Sequence, residues 1–265
     1  MLLKAAINGK RTLEEHPAVP LTPREQAHQA ALAVAAGAGA IHVHPRDAHG
    51  RESLAPNEVA ASLEAIRTAC QSTPVGVSTG AWIVPDADQR LALIGAWEVL
   101  PDFAAVNFHE PAALEVARLL LDKGIAVEAG IWDVAAAERL RGSGLASDCL
   151  RLLFEPAQTP GDAQTRLHGI EAALADVKNP RLLHGFGAAA WAFIELAARR
   201  GYDTRVALED TLVLPDGTRA GQRGVGGHGV AHPRPAETLR RCSMHLAHAK
   251  PTGSVLLGIK SEFRN

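Results

Sequence analysis

The stretch TPREQAHQAALAVAAGAGAIHVH, which spans residues 22–44, contains the unit from which the fold is built. Thr22 is a favourable helix N-cap, Pro23 suits the first helical position, and apolar residues then recur along the segment. Gly37 follows where a left-handed cap is expected, and the apolar run Ala40–His44 is typical of a short buried strand. A helix followed directly by a buried strand is half of a parallel β/α repeat.

Eight apolar runs of this kind occur along the chain and are separated by segments with helical periodicity. They are Leu3–Asn8, Ala40–His44, Val75–Ser78, Phe103–Asn107, Ile125–Glu128, Cys149–Phe154, Arg181–His184 and Arg205–Glu209. Eight strand–helix units in about 210 residues predict an α/β fold, a closed (β/α)8 TIM barrel. The alternative, an open doubly wound sheet, needs a glycine-rich first turn, and the first turn here is Asn8-Gly9-Lys10-Arg11.

We expect residues 1–265 to form a single barrel domain whose C-terminal part is unusual. Gly221–His232 is rich in glycine and histidine, so an atypical loop and tail are expected from about residue 221. Pro235–Ala249 keeps an amphipathic pattern and is predicted to form the eighth outer helix.

Composition excludes several classes of protein. The formal charge is −2, with 47% apolar and 21% charged residues, which predicts a sizeable core and no binding of nucleic acid. No apolar run approaches the roughly 20 residues of a membrane helix, so no membrane partner is expected. The first residues lack a signal-peptide layout and the three cysteines form no CxxC pair, which favours a cytoplasmic location.

Polar side chains are concentrated where the predicted strands end. Active sites of TIM barrels lie at the C-terminal ends of the strands, so these residues are the candidates for function. They are Asn8, His42, His44, Ser78, Thr79, Asn107, His109, Glu128, Glu155, His184, Glu209 and Asp210.

The triplet His42-Val43-His44 predicts a metal site. Side chains two positions apart on a strand share a face, so both imidazoles are expected to point into the barrel. Two neutral imidazoles suit Zn²⁺, which then needs a third ligand and an open position for catalysis. A pair of histidines satisfied by hydrogen bonds is the alternative. We take Glu209 as the third ligand, with three rivals at other strand ends, namely Glu128, Glu155 and His184.

The remaining candidates are taken as substrate or catalytic groups. Arg205 is expected to share a face of strand eight with Glu209 and to pair with a carboxylate; a salt bridge at the bottom of the barrel is the alternative. Arg46 is a candidate clamp for a carboxylate or phosphate, or else a solvated loop charge. Ser78-Thr79-Gly80 offers a carboxylate cradle or a simple turn. Glu128 is expected either to orient substrate or to stabilise the barrel.

Six segments, in this order and spacing, resemble the β-keto acid cleavage enzymes over residues 1 to about 218. They are Ala6-Ile7-Asn8-Gly9, Gly37–Asp47 (GAGAIHVHPRD), Ser78-Thr79-Gly80, Val106-Asn107-Phe108, Val127-Glu128-Ala129-Gly130 and Arg205–Asp210 (RVALED). The HxHxR and RVxLED blocks are specific in combination.

The resemblance implies a zinc-dependent barrel that converts a β-keto acid and acetyl-CoA into acetoacetate and a new acyl-CoA. Matched by motif, zinc would be held by His42, His44 and Glu209. Asp210, oriented by Arg205, would take part in proton transfer. The β-keto acid would be contacted by Ser78 and Glu128, and we add Thr79, Gly80, Asn107 and Arg46 as substrate-binding residues. A homo-oligomer, with a tetramer as one option, is also expected.

Two segments depart from the family pattern. Lys10-Arg11 replaces a small residue and an acidic residue after the first glycine, and Gly221–His232 replaces the usual helix start.

Two other functions are compatible with the residues. A metal-dependent hydrolase of the amidohydrolase type also uses HxH in a barrel, but on strand one, with histidine ligands from strands five and six. A non-catalytic barrel that binds a small molecule is the second alternative.

Overall fold

Eight parallel strands alternate with seven α-helices in the computed structural model, which describes residues 1–156 and 160–220. The strands are β1 Leu3–Ala6, β2 Ala40–Val43, β3 Val75–Ser78, β4 Phe103–Asn107, β5 Ala126–Ile131, β6 Arg151–Phe154, β7 Arg181–Leu183 and β8 Thr204–Arg205. The helices are α1 Pro23–Ala35, α2 Pro56–Ala69, α3 Ala87–Gly95, α4 Ala113–Asp122, α5 Val134–Ser143, α6 Pro160–Ala173 and α7 Ala190–Arg200.

The strands close into a ring. Each strand from β1 to β6 pairs with the next one along the chain, and β8 pairs with β1. Between β7 and β8, Leu182 forms an isolated parallel bridge with Asp203, and the backbone N–H of Asp203 donates to the carbonyl of Arg181 at 2.8 Å. The predicted (β/α)8 TIM barrel is therefore confirmed.

Helix α1 begins as the sequence predicts. The hydroxyl of Thr22 accepts a hydrogen bond from the backbone of Glu25, whose carboxylate accepts one in return from the backbone of Thr22. This capping box, with Pro23 in the first turn, fixes the helix start. β2 then runs from Ala40 to Val43, so that His42 lies on the strand and His44 directly after it.

The predicted bounds of strand eight are wrong. β8 ends at Arg205, and the chain then turns, with the backbone N–H of Asp210 donating to the carbonyl of Ala207 at 3.1 Å. Arg205 and Glu209 therefore do not share a strand face. They still meet, because a turn brings residues four apart onto one side as it does in a helix.

A buried ion pair crosses the interior of the barrel. Lys4 on β1 contacts the carboxylate of Glu128 on β5, and neither side chain has any exposed surface. Arg151 on β6 approaches the same carboxylate, with its Nε 3.4 Å from Oε1. Burial lowers the pKa of Lys4 to about 8 despite the opposing charge of Glu128.

Glu128→Gln is expected to destabilise the fold by about 3–5 kcal/mol, because it leaves the buried ammonium of Lys4 without its counter-charge. Chemical denaturation measures the loss. Glu64→Gln, on the exposed face of α2, is the matched control and should change stability by less than about 0.5 kcal/mol. Equal stabilities of the two variants would show that the pair is dispensable, whereas Lys4→Met combined with Glu128→Gln should recover part of the loss.

The cysteines, the absence of a membrane helix and the unusual C-terminal part were also subjects of prediction. Cys70 and Cys149 are buried, as free thiols. Within the part of the chain that the structure describes, no helix has the length and apolar character needed to cross a membrane. The predicted glycine- and histidine-rich loop, the helix Pro235–Ala249 and Cys242 lie outside the described residues.

Candidate active site and metal centre

A cavity of about 290 Å³ opens at the C-terminal ends of the strands, where TIM barrels hold their active sites. Eight of the candidate residues line it: His42, His44, Ser78, Asn107, His109, Glu155, Arg205 and Glu209. An aromatic wall is formed by Trp132 and Phe186, whose rings stack at 5.8 Å. The strand-end rule therefore located the cavity, although not every polar residue at a strand end reaches it.

His42, His44 and Glu209 converge on one point of this cavity. The Nε2 atoms of the two histidines lie 3.1 Å apart, and Oε2 of Glu209 lies 3.9 Å from Nε2 of His42 and 3.5 Å from Nε2 of His44. Within residues 1–156 and 160–220, this is the group of three such side chains whose spacing suits a metal ion.

The three atoms fit a divalent metal such as zinc. Ligands at about 2.0–2.1 Å from a tetrahedral zinc ion lie about 3.3 Å from one another, which is close to the observed spacings. Oε2 of Glu209 is buried and has no hydrogen-bond partner among the described residues, although a buried carboxylate oxygen normally has one. A cation at the centre of the triangle would satisfy this oxygen and both imidazoles.

The charge states also suit a metal. Burial lowers the pKa of His42 well below its ordinary value, so the imidazole is neutral and its Nε2 lone pair is available. Burial alone would raise the pKa of Glu209, but Arg205, His44 and His42 outweigh it and lower the pKa to about 2. The carboxylate is therefore ionised at neutral pH.

Glu209 is held in place from two sides. Nη2 of Arg205 donates to its Oε1 at 2.6 Å, which leaves Oε2 to face the histidines. Gly9 lies against its other side, with φ of +56°, and a Cβ at this position would overlap Cγ of Glu209. Glycine in the loop after β1 therefore provides both the left-handed backbone and the space for the Glu209 side chain.

A carboxylate outside the triangle orients His44. Oε1 of Glu52 lies 2.5 Å from Nδ1 of His44, a contact that favours the tautomer with its proton on Nδ1 and leaves Nε2 to face His42 and Glu209. Both oxygens of Glu52 also accept from the indole N–H of Trp82 at 3.1 Å. This contact matches the carboxylate–histidine part of the carboxylate–histidine–metal arrangement found in many zinc sites.

Glu52→Gln is expected to weaken zinc binding by about 10- to 100-fold, because the amide supports the His44 tautomer less well. Competition with a fluorescent chelator measures the change. Glu58→Gln, on α2 beyond the same loop, is the control and should bind zinc as tightly as the unaltered protein. Unchanged affinity in Glu52→Gln would mean that His44 needs no orienting partner.

A line of buried charges continues from Arg205 away from the metal position. The guanidinium donates to Oδ1 of Asp210 from Nε at 3.1 Å and from Nη2 at 2.7 Å. His184 places Nδ1 3.3 Å from the same oxygen and Nε2 3.0 Å from Oε2 of Glu155. Burial raises the pKa of Asp210, but Arg205 and His184 outweigh it and lower the pKa to about 2.

The three predicted rivals for the third metal ligand, Glu128, Glu155 and His184, make other contacts and are not part of the triangle. Glu155 and His184 face each other at the far end of this line, and Glu128 is paired with Lys4 inside the barrel. Burial and Arg205 lower the pKa of His184, but Asp210 and Glu155 outweigh them and raise it.

Four of the predicted substrate-binding residues do not line the cavity. Glu128 is sequestered by Lys4 and Arg151, which corresponds to the barrel-stabilising alternative. Thr79 turns its hydroxyl to the carbonyl of Ala105 at 2.8 Å, and a Cβ at Gly80 would overlap the ring of Trp82. The guanidinium of Arg46 donates to the backbone carbonyls of Gly9, Arg11 and Gly50, so it ties two loops together.

Sequence reasoning missed Glu52 and left Lys10 without a role, although Lys10 lines the cavity. The signal for Glu52 was the turn at Asp47–Gly50, where Gly50 has φ of +76° and Arg46 pairs with Glu52 in an antiparallel bridge. Aspartate and glycine three positions apart mark such a turn, which returns the chain toward His44.

Comparison with known proteins settles the family. A model of the beta-keto acid cleavage enzyme family matches residues 1–224, which is most of the chain. The chain belongs to this family. The resemblance seen in the HxHxR and RVxLED blocks is therefore confirmed.

Two curated relatives support the assignment over shorter stretches. A 3-keto-5-aminohexanoate cleavage enzyme of Fusobacterium nucleatum subsp. nucleatum is 29% identical over 147 residues, which are 50% of this chain and 53% of that protein. Another, of Acetoanaerobium sticklandii, is 33% identical over 92 residues, which are 34% of each chain. The aligned part of this chain therefore spans about half or less of the length of each of these two relatives.

Solved structures agree on the fold. ObcA in ternary complex with a C4-CoA adduct and oxalate has a TM-score of 0.63 at 15% identity, covering 88% of this chain and 64% of ObcA. ObcA in complex with oxaloacetate has the same TM-score at 14% identity, covering 88% and 65%. At these identities the likeness to ObcA shows the barrel alone.

Proposed function

We propose that this family member condenses a β-keto acid with acetyl-CoA and releases acetoacetate and a new acyl-CoA. The reaction is R–CO–CH₂–COO⁻ + CH₃–CO–SCoA → CH₃–CO–CH₂–COO⁻ + R–CO–SCoA, which balances without a further reactant. The observation that carries the proposal is the convergence of His42, His44 and Glu209 in the cavity of a barrel from this family.

His42, His44 and Glu209 would hold zinc with coordination positions left for the keto acid. A zinc ion there would act as a Lewis acid and stabilise the negative charge that develops on the substrate, an effect of several kcal/mol. The pKa values of His42 and Glu209 support this role, because both groups are in their ligating form at neutral pH.

Asp210 is the proposed base. Its Oδ1 is held by Arg205 and approached by His184, whereas its Oδ2 has no hydrogen-bond partner among the described residues. Asp210 would take a proton from the carbon between the keto and carboxyl groups of the substrate, and Arg205 would keep the carboxylate oriented. Asp210 is buried and does not itself line the cavity, whereas Arg205, which pairs with it, does, so the base would act from beside that guanidinium.

The carbon–carbon exchange then needs two acyl transfers. The carbanion attacks the acetyl thioester and expels the CoA thiolate, which gives a diketo acid. The thiolate attacks the original keto carbon, and the bond from that carbon to the central carbon breaks to give the new thioester. The central carbon of the acetoacetate formed takes back the proton from Asp210, so the cycle closes.

Ser78 and Asn107 are the proposed contacts for the substrate. Both line the cavity, and the hydroxyl of Ser78 already accepts from the backbone of Gly80 at 3.4 Å, which leaves its own proton for a ligand oxygen. The amide of Asn107 donates to the carboxylate of Glu110 at 2.9 Å and accepts from the indole N–H of Trp132 at 3.2 Å. These contacts hold it beside the aromatic wall.

The assembly and location are proposed as well. We expect a homo-oligomer, with a tetramer as one option, and a cytoplasmic setting in which acetyl-CoA is available. Light scattering of the purified protein measures the assembly.

The test of the proposed activity is an assay of acetyl-CoA against a panel of β-keto acids, with and without a chelator. We expect acetoacetate and a new acyl-CoA to form in equal amounts, to disappear after chelation and to return with zinc. Metal-dependent hydrolysis that consumes no acetyl-CoA would contradict the proposal in favour of the hydrolase alternative. Binding of the keto acid with no chemistry would favour the non-catalytic barrel.

A further inference from the structure

Almost every charged side chain that lines the cavity already has a close polar partner. Three contacts account for most of them: Glu15 with Arg11 at 2.6 Å, Glu209 with Arg205 at 2.6 Å, and Glu155 with His184 at 3.0 Å. Glu110 accepts from the backbone of Ala81 at 2.7 Å as well as from an amide side chain. Lys10 differs, because no carboxylate in residues 1–156 and 160–220 forms an ion pair with it.

Lys10 is held at the cavity by an aromatic ring. Its Nζ lies 3.9 Å from the centroid of the Trp82 ring, within the range of a cation–π contact. An ammonium group has three N–H donors, and a contact with a ring face leaves donors free to turn toward a ligand. The side chain itself is exposed, so a ligand in the cavity can reach it.

Trp82 links Lys10 to the metal position. The indole ring stacks with the ring of His44 at 6.2 Å, and its N–H is fixed on Glu52. A substrate whose keto-acid end lies at His44 would therefore direct its far end along the face of Trp82 toward Lys10. The guanidinium of the adjacent residue, Arg11, donates to the carboxylate of Glu15 and to two backbone carbonyls, so it does not compete for the ligand.

We propose that Lys10 forms a subsite for an anionic group, and that the preferred substrate is a β-keto acid with a second carboxylate at its far end. This rests on the proposed function, because it places the keto-acid end at the metal centre. The phosphates of CoA carry the same kind of charge and are the other source of an anion at this position. The experiment therefore has to separate the two.

The kinetic test compares 3-oxoadipate with 3-oxohexanoate, six-carbon β-keto acids that differ in a terminal carboxylate or methyl group. Lys10→Met keeps the stem over Trp82 and removes the charge. We expect its KM for 3-oxoadipate to rise about fivefold to tenfold, with less than a twofold change for 3-oxohexanoate and for acetyl-CoA. Lys178→Met, in the loop after α6 at the opposite end of the barrel, is the matched control and should change neither.

Two kinetic results would overturn the proposal. An equal rise in KM for both keto acids in Lys10→Met would show that the ammonium group does not bind the terminal carboxylate. A rise in the KM for acetyl-CoA with both keto acids would assign Lys10 to the phosphates of CoA instead.

A binding test keeps this inference separate from the proposed activity. Calorimetry with adipate and hexanoate needs no turnover, so it remains informative if no β-keto acid is cleaved. We expect the unaltered protein to bind adipate more tightly than hexanoate and Lys10→Met to lose most of that difference. A preference for adipate that survives in Lys10→Met would rule out the subsite, whereas loss of cleavage alone would bear on the proposed function.

Discussion

His44→Ala is expected to lose zinc and activity together. The substitution removes one of the three proposed ligands, and it also leaves Glu52 without the imidazole that lies 2.5 Å from it. Losing an outer partner of a ligand already weakens a metal site about 10- to 100-fold, so losing the ligand itself should weaken it more. If the metal supplies about 4 kcal/mol to the transition state, cleavage should fall about 10³-fold.

Metal content by mass spectrometry and the acetyl-CoA assay give the two measurements. His28→Ala removes an exposed imidazole on α1 and should keep both metal and activity. A His44→Ala protein that is folded, free of zinc and fully active would contradict the metal site. One that keeps a full zinc equivalent would place the ion elsewhere.

The grouping of the candidate metal ligands was predictable where their positions follow from strand geometry. His42 and His44 are two apart, and a strand places such residues on one face whatever surrounds them. Glu209 was predicted for a partly wrong reason. The expected strand ends at Arg205, and a turn, not strand periodicity, brings Glu209 back to its Arg205 contact at 2.6 Å.

Which of the proposed substrate contacts line the cavity was less predictable, because a sequence does not show how deep in a barrel a side chain lies. Glu128 and Asn107 both lie near strand ends, but β5 continues to Ile131, three residues beyond Glu128. That extension places Glu128 inside the barrel beside Lys4, whereas Asn107 ends its strand and reaches the cavity. The pairing of Arg46 with backbone carbonyls depends on the path of two loops, which no local pattern specifies.

Asp210→Asn should keep zinc and lose turnover. The amide retains an oxygen that can accept from Arg205, so the local structure should persist, but it cannot take up a proton. Removal of a positioned base is expected to slow the reaction by about 10²- to 10⁴-fold. Asp203→Asn is the matched control, since Asp203 also pairs with an arginine, Arg151 at 3.4 Å, away from the cavity. It should leave both zinc content and cleavage unchanged.

Exchange of the substrate's central C–H with deuterated water, followed by NMR without acetyl-CoA, isolates the proton-transfer step. The unaltered protein should catalyse exchange above the rate in buffer, and Asp210→Asn should not. Glu155 is the rival base, because it lines the cavity and lies 3.0 Å from His184. Normal exchange in Asp210→Asn together with its loss in Glu155→Gln would transfer the role of base to Glu155. Loss of exchange in Asp210→Asn with normal exchange in Glu155→Gln would keep Asp210 as the base. Glu155 would then serve to position His184, which contacts Asp210 at 3.3 Å.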